Sequence, residues 1–414
     1  MRKVYSCVDI GSHSIKIVVV EEMNNKFFVL SKTIQKSKGV RRGKIIDVDL
    51  VVESLKLAFN KVEAELGIKL DNVLCVVPSE TCEIEITIGE VDIKDGVVDK
   101  EDISKVLQNA VFNKVKEDEF LVSNIPVLFN VDDKENVKDA VGMSGNKLKV
   151  KTVYTKIPKS NVMPFFDVFK KLNKNIIDVS LGIVGDYYAS KDKNLDKTTS
   201  AVINIGYDSI NVGIFNKGIL IKNETIETGS RFVDKDIAYI YDLERKKCRF
   251  LKETFAVSNT RYADVNDITV IENKSGKMLN INQLEISEIV EARLRDLLKL
   301  AKKQINILTN KEIRYIIVTG GITEIAGFQY LVENVFGYSA STLVINEMGV
   351  RSNSYSSSLG VIKYFSDKMI ARGKDYSMIN DNNLDIMTKK YRKTTSENGK
   401  VNILNIFTGN NKED

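Results

Sequence analysis

The chain has 414 residues, 43% apolar and 28% charged, the composition of a soluble globular protein with room for several cores. Its formal net charge of +5 is spread along the chain, which argues against a nucleic-acid partner. One histidine, His13, and four cysteines with no C-x-x-C pair argue against a His–Asp catalytic pair and a His/Cys zinc centre. Cys7, Cys75, Cys82 and Cys248 fall in apolar runs and read as buried small hydrophobes of a reducing compartment. The N-terminus lacks the apolar core of a signal peptide, and no stretch approaches the ~18 uncharged apolar residues of a spanning helix. A cytoplasmic protein is expected.

Residues 4–20, VYSCVDIGSHSIKIVVV, form an apolar run, a short polar turn and a second β-rich run, which ends at Asn24-Asn25-Lys26. Residues 201–215, AVINIGYDSINVGIF, repeat the design and end at Asn216-Lys217-Gly218. Asn204 follows Asp9 by 195 residues, so each half of the chain carries one such hairpin, as two related α/β domains facing each other would. Between them, residues 51–66 place Val51, Leu55, Ala58, Phe59, Val62 and Leu66 on one helical stripe. The segment 84–162 alternates apolar and polar residues and reads as a small α+β insertion. A second helix is expected over 284–305, with Ile286, Ile289, Val290, Leu294, Leu297, Leu298, Ala301 and Ile305 facing a core. Residues 313–337 then predict a strand, the glycine turn Thr319-Gly320-Gly321, and a helix whose first turn carries Thr323 and Glu324. From 367 onward apolar content falls, and the basic run Lys389, Lys390, Arg392, Lys393 appears, as in a flexible tail.

The first hairpin has the residues of a phosphate-binding turn. Gly11, Ser12 and Ser14 leave backbone N–H groups for phosphate oxygens, and Lys16 supplies a point cation. Asp9 at the strand end is placed to hold a magnesium ion through water. His13 would hydrogen-bond a phosphate or face solvent. An ordinary tight hairpin with a solvated lysine accounts for the same residues.

Three turns in this order resemble the actin-like ATPase superfamily. Five stretches resemble one of its families, the bacterial cell-division protein FtsA: KGVRRGKIIDVD (38–49), VKDAVGMSGNKLKV (137–150), EIVEARLRDLLKL (288–300), VTGGITEIAGFQYLVENVFG (318–337) and YSSSLGVIKYF (355–365). The resemblance implies an actin-like two-domain α/β fold of duplicated ribonuclease-H-like halves, with ATP and Mg2+ in the cleft. It implies domain 1A over 1–83 and 163–195, an inserted subdomain 1C over 84–162, domain 2A over 196–228 and 283–366, and subdomain 2B over 229–282. It carries cofactor contacts onto Asp9, Gly11, Ser12, His13, Ser14 and Lys16, onto Asn204, Gly206 and Ser209, and onto Gly229, Ser230, Lys252, Gly320, Gly321 and Ile322. Its implied partners are further copies in a head-to-tail filament, the C-terminal peptide of the tubulin-like protein FtsZ, other division proteins, and membrane lipid. The place of action would be the inner face of the cell membrane at the division site.

The chain departs from the family in three places. The second turn, close to D-I-G-G-G-T-T-D in the family, reads Asn204, Ile205, Gly206, Tyr207, Asp208, Ser209, Ile210, Asn211. Asn204 lacks the charge to balance magnesium or take a proton from water. Tyr207 is expected to strain a glycine conformation, and Asp208 to repel phosphate unless a cation intervenes. At 248–252, CRFLK matches the family's A-E-x-L-K only partly: Lys252 is retained and Arg249 replaces the ribose-binding glutamate, though it is able to stack on adenine instead. The tail KVNILNIF (400–407) offers one short apolar face without tryptophan, which suits a weak membrane segment or a disordered end. Expected, then, is a scaffold with at most slow ATP hydrolysis. The alternatives are a paralogue that binds nucleotide weakly or not at all, and an actin-fold ATPase or kinase.

Overall fold

Strands β1 (Lys3–Ile10), β2 (Ser14–Met23) and β3 (Lys26–Lys36) open the chain as two successive hairpins. Asn24 and Asn25 both take the left-handed conformation that a tight two-residue turn demands. A small ribbon, β4 (Val40–Arg41) and β5 (Lys44–Ile45), precedes α1 (Val48–Leu66) and β6 (Asn72–Val77). Next come β7 (Glu83–Asp92), α2 (Lys100–Val111), β8 (Glu119–Val131), β9 (Lys134–Val137) and β10 (Lys147–Pro158). The first half closes with α3 (Lys159–Lys171), β11 (Asn175–Leu181) and α4 (Gly182–Ser190). The second half runs β12 (Thr199–Ile205), β13 (Ile210–Asn216), β14 (Ile219–Ile226), α5 (Arg231–Tyr241) and α6 (Arg245–Phe250). It continues with β15 (Ile268–Glu272), β16 (Met278–Asn282), α7 (Gln283–Leu308), β17 (Tyr315–Thr319), α8 (Phe328–Phe336), β18 (Ala340–Thr342) and α9 (Ser356–Ala371). This is a computed structural model, and it describes residues 2–388.

The two large sheets have one topology. The first runs β11-β6-β1-β2-β3 and the second β18-β17-β12-β13-β14. In each, the first strand pairs antiparallel with the second and parallel with the strand that follows a helical crossover. The internal repeat read in the sequence is therefore a duplication of the whole sheet. Each half has its own apolar core. Helix α1 begins at Asp47, whose side chain accepts from Leu50 N–H, and stops at Gly67 in the left-handed region. Its predicted stripe, Val51 to Leu66, is buried; on α7 the predicted stripe is buried except Ile289, which is partly covered. Cys7, Cys75 and Cys248 are buried and Cys82 is partly covered; all four are free thiols.

A third sheet, β7-β10-β8-β9, with α2 on one face and its own small core, lies between β6 and α3. The stretch KDAVGMSG folds back on it. Gly142 N–H donates to Val98, Val98 N–H to Met143, and Gly145 N–H to Gly96.

Helices α4 and α9 approach backbone to backbone at Gly185 and Gly360. A methyl group on Gly360 would stand 1.6 Å from the Gly185 carbonyl oxygen, so both positions are confined to glycine.

Two expectations about the C-terminal half need correction. The helix expected straight after Gly320-Gly321 starts only at Phe328; Gly321–Glu324 is a single tight turn. The glycine pair therefore opens a 3-10 turn, with Gly320 as its N-cap, and not the longer helix α8. Of the flexible tail expected from 367 onward, residues 367–371 complete α9 and residues 372–388 pack on the first half. Strand β1 pairs with β6 only over Cys7–Asp9, leaving Val4 to bond elsewhere. Val4 accepts from Met378 N–H and donates to Ser377 Oγ, while Met378 and Met387 are buried in the first core. Met378 and Met387, with Tyr376, Ile379 and Leu384 packed against the same core, outweigh the low average hydropathy of the stretch. The basic run 389–393 and the segment 400–407 lie outside the described residues.

Candidate functional site: the cleft between the halves

The first and second turns are the same piece of backbone. Gly11 N–H donates to Ser14 O at 3.1 Å, and Gly206 N–H to Ser209 O at 2.9 Å. In register, Asp9 opposes Lys16 and Asn204 opposes Asn211. Between them opens a cleft of about 500 Å³, lined also by Gly320, Gly321 and Ile322. Of the residues expected there, Asp9, Gly11, Ser12, His13, Ser14, Lys16, Asn204, Gly206, Ser209, Ser230 and Lys252 also line it. Gly229 does not. It lies behind the second turn, where Ser230 and Arg231 N–H donate to the carbonyls of Gly206 and Tyr207.

On the first turn Lys16 Nζ stands 2.9 Å from Asp9 Oδ2, and each side chain is 16% exposed. Ser12 Oγ accepts from Gly43 N–H at 2.9 Å, so the β4–β5 ribbon is fastened to the turn. His13 is partly buried and lines the cleft. Its ring packs on Tyr207, centroids 4.8 Å apart, and so joins the two halves across the cleft. Burial, with the nearby Arg249 and Lys252 cations, pushes the imidazole down to about 4, leaving it neutral near pH 7.

The second turn is unstrained. Neither Tyr207 nor Asp208 has positive φ, so the backbone does not require glycine at either position. The cation that Asp208 needs is Arg231, 3.1 Å away, and Asp208 also accepts from Arg42 N–H at 3.3 Å. Arg42 itself pairs with Glu227. Lys252 sits on a π-helical turn, Leu251–Phe255, and is bonded to Asp234 at 2.6 Å, both side chains 2% exposed. Arg249 does not line the cleft. Its guanidinium lies 5.6 Å from the Tyr207 ring centroid and near Asp234 and Glu253.

The third turn approaches the second too closely for a side chain. Gly320 has φ +107°, and a methyl group there would meet the Ile205 carbonyl oxygen at 2.4 Å. Thr323 Oγ1 donates to Gly320 O, and Asn353 Nδ2 to Thr323 Oγ1, which fixes the turn to the entry of α9.

Sequence reasoning missed three carboxylates that line the cleft. Glu80 and Glu253, the latter next to Lys252, are two. The third is Asp186 on α4, 1% exposed, which accepts from Ser356 Oγ at 2.5 Å, Ser357 Oγ at 2.8 Å and Asn204 Nδ2 at 2.6 Å. Burial pushes its carboxyl up to about 6, against the pull of these three donors. One signal was present: an acid amid the small and apolar residues GIVGDYYAS.

Glycine and serine turns, a close backbone approach at Gly320 and the nearby lysines Lys16 and Lys252 fit a phosphate-bearing ligand such as a nucleotide. Among the described residues, no three His, Cys, Asp or Glu side chains converge as a metal centre, so a magnesium ion would depend on the ligand's own phosphates, with Asp9 beside them.

The family model described as "SHS2 domain inserted in FTSA" matches residues 80–155, and that of "Cell division protein FtsA" matches 201–360. The cell division protein FtsA of Enterococcus hirae is 23% identical over 369 residues, 87% of this chain and 82% of that protein. FtsA of Bacillus subtilis is also 23% identical, over 87% of this chain and 83% of its own length. Among solved structures, a PilM–PilN type IV pilus biogenesis complex superposes with a TM-score of 0.59 at 10% identity, covering 87% of this chain and 98% of that one. MreB5 of Spiroplasma citri bound to ADP superposes at 0.52 with 12% identity, covering 89% and 97%. These likenesses establish the actin-like fold. With both matched segments in their places, the chain belongs to the FtsA family of cell-division proteins.

Proposed function

We propose that this protein is a division scaffold that takes ATP in the cleft as an assembly ligand and polymerises head to tail. It binds the FtsZ C-terminal peptide and tethers the division ring to the inner face of the cytoplasmic membrane. The observation that carries the nucleotide part is the pair of matched turns that line one cleft beside Gly320, where the backbone leaves no room for a side chain. Gly11, Ser12 and Ser14 would meet the phosphates from one side and Gly206 and Ser209 from the other, with Lys16 as cation. Asp9 would hold magnesium-bound water; the metal would shield phosphate charge. Ser230, Lys252, Gly320, Gly321 and Ile322 would border the nucleoside. Asn204 supplies no carboxylate, so hydrolysis would be slow at most.

A second reading, weak or absent nucleotide binding, is favoured by the internal pairing of every cation just described: Lys16 with Asp9, Lys252 with Asp234 and Arg42 with Glu227. A phosphate would have to compete with each carboxylate. Calorimetric titration of the full chain with ATP and Mg2+ separates the readings, and no heat at high micromolar ATP would overturn the first. Co-sedimentation with an FtsZ tail peptide tests the adaptor role separately; a peptide left wholly in the supernatant refutes it.

A further inference from the structure

Asn204 has its place at the end of β12 because of what lies beneath it. Its Nδ2 is 2.6 Å from Asp186 Oδ2, and 3.5 Å from Ser357 Oγ. Its other atom, Oδ1, is turned toward the third turn; a methyl group on Gly320 would stand 3.2 Å from it. A carboxylate accepts and cannot donate, so an ionised Asp186 permits only this orientation of the amide. We propose that Asp186 is the positioning residue of the second turn, fixing Asn204 so that the cleft meets a carbonyl acceptor at position 204, with the negative charge set one layer below, on α4.

This rests on the nucleotide reading of the cleft and deepens it. A carbonyl oxygen beside Gly320 favours a hydroxyl, an amine or metal-bound water, and disfavours a bare phosphate oxygen. The charge that an acid at 204 would carry is therefore not lost from the cleft; it is transposed by one hydrogen bond. Asp186 belongs to the first half, Asn204 to the second, and Ser356 and Ser357 to the start of α9, where the chain returns to the first half. One carboxylate of α4 thereby links the second turn to the start of α9. The other charged group acting on it is Asp9 of β1, itself tied to Lys16 of β2; β12 and α9 contribute only the neutral donors named.

The test is a polarity swap. Four full-length proteins are compared: unmodified, Asp186→Asn, Asn204→Asp, and the double variant. Without ligand at neutral pH, Asn204→Asp sets two carboxylates against each other and is expected to lower the melting temperature by several degrees. The double variant restores an amide–carboxylate pair and is expected to recover most of that loss. With ATP, Asp186→Asn is expected to weaken binding about tenfold, as loss of a charged hydrogen bond that orients a contact would. The double variant brings the charge to position 204, so its affinity ratio with and without Mg2+ should rise about fivefold or more over the unmodified protein. A purely structural Asp186 would leave that ratio unchanged. Ser357→Ala, a milder removal of one donor, should weaken ATP binding in the same direction if Asp186→Asn does not fold. Should the unmodified protein take no ATP while the swap recovers melting, the positioning claim stands and the nucleotide reading falls. Melting and ATP affinity of Asp186→Asn equal to the unmodified protein would overturn the claim.

Discussion

The first and second turns share a backbone and differ in where they keep charge. In the first, Asp9 and Lys16 meet across the hairpin at the cleft surface. In the second, the equivalent pair is Asn204 and Asn211, and Asn211 Oδ1 is spent on Thr225 Oγ1. The charged groups sit around the turn instead: Asp208 with Arg231 and Asp234 with Lys252 in the second half, and Asp186 of the first half below. A duplicated fold thus conserves its hairpin geometry by strand pairing alone, while the chemistry at each turn is free to move to neighbouring elements. The absence of an acid at one position is no measure of the charge of the cleft.

The difference can be broken at its most buried point. Asp234→Ala leaves Lys252 without its closest partner at 2% exposure, and the expected cost is about 3–5 kcal/mol, read by denaturant unfolding. A loss below about 1 kcal/mol would mean that the second half does not depend on its transferred charge. Next in size is Gly320→Ala, which forces a methyl group onto the Ile205 carbonyl in a left-handed conformation; about 2–4 kcal/mol is expected in the same measurement. Lys16→Met removes the cation of the first turn. Its partly exposed pair should cost about 1 kcal/mol or less in stability, while ATP affinity falls about tenfold by calorimetry. An unchanged affinity would place the phosphates elsewhere.

The smallest effect is the cleanest to observe, because His13 is the single histidine. Its proton NMR titration should place the midpoint near 4, and Tyr207→Ala, which uncovers the ring, should move it toward 6.5. The sign follows from linkage. A histidine held neutral in the folded state contributes stability above pH 6.5, and this is lost as pH falls toward about 4, since the unfolded chain takes the proton first. A midpoint already near 6.5 in the unmodified protein would mean that the rings do not close over the cleft.

Much of this was legible in the sequence because it is local. The alternation of apolar runs, the Asn-Asn and Lys-Gly turns and the 195-residue spacing of Asp9 and Asn204 mark both hairpins without any long-range information. The stripes of α1 and α7 follow from helical period. What escaped is non-local. Asp186 acquires its place from donors 18, 170 and 171 residues away. Arg231, which relieves Asp208, lies beyond the whole of β13 and β14. Tyr207 was judged by the residue type the family has there, whereas its actual backbone angles are ordinary ones.

The bonds between Val4 and the Ser377–Met378 segment have a mechanical consequence. Strand β1 runs from Lys3 to Ile10 and delivers Asp9 and Gly11 to the first turn. A load applied to the chain beyond Thr388 meets the bond from Arg2 to Thr388 and the buried Met387 first, and the bonds to Val4 after them. Arg2 and Val4 flank the start of β1, so tension on that stretch is handed to the strand that carries half of the cleft and to β2 paired along it.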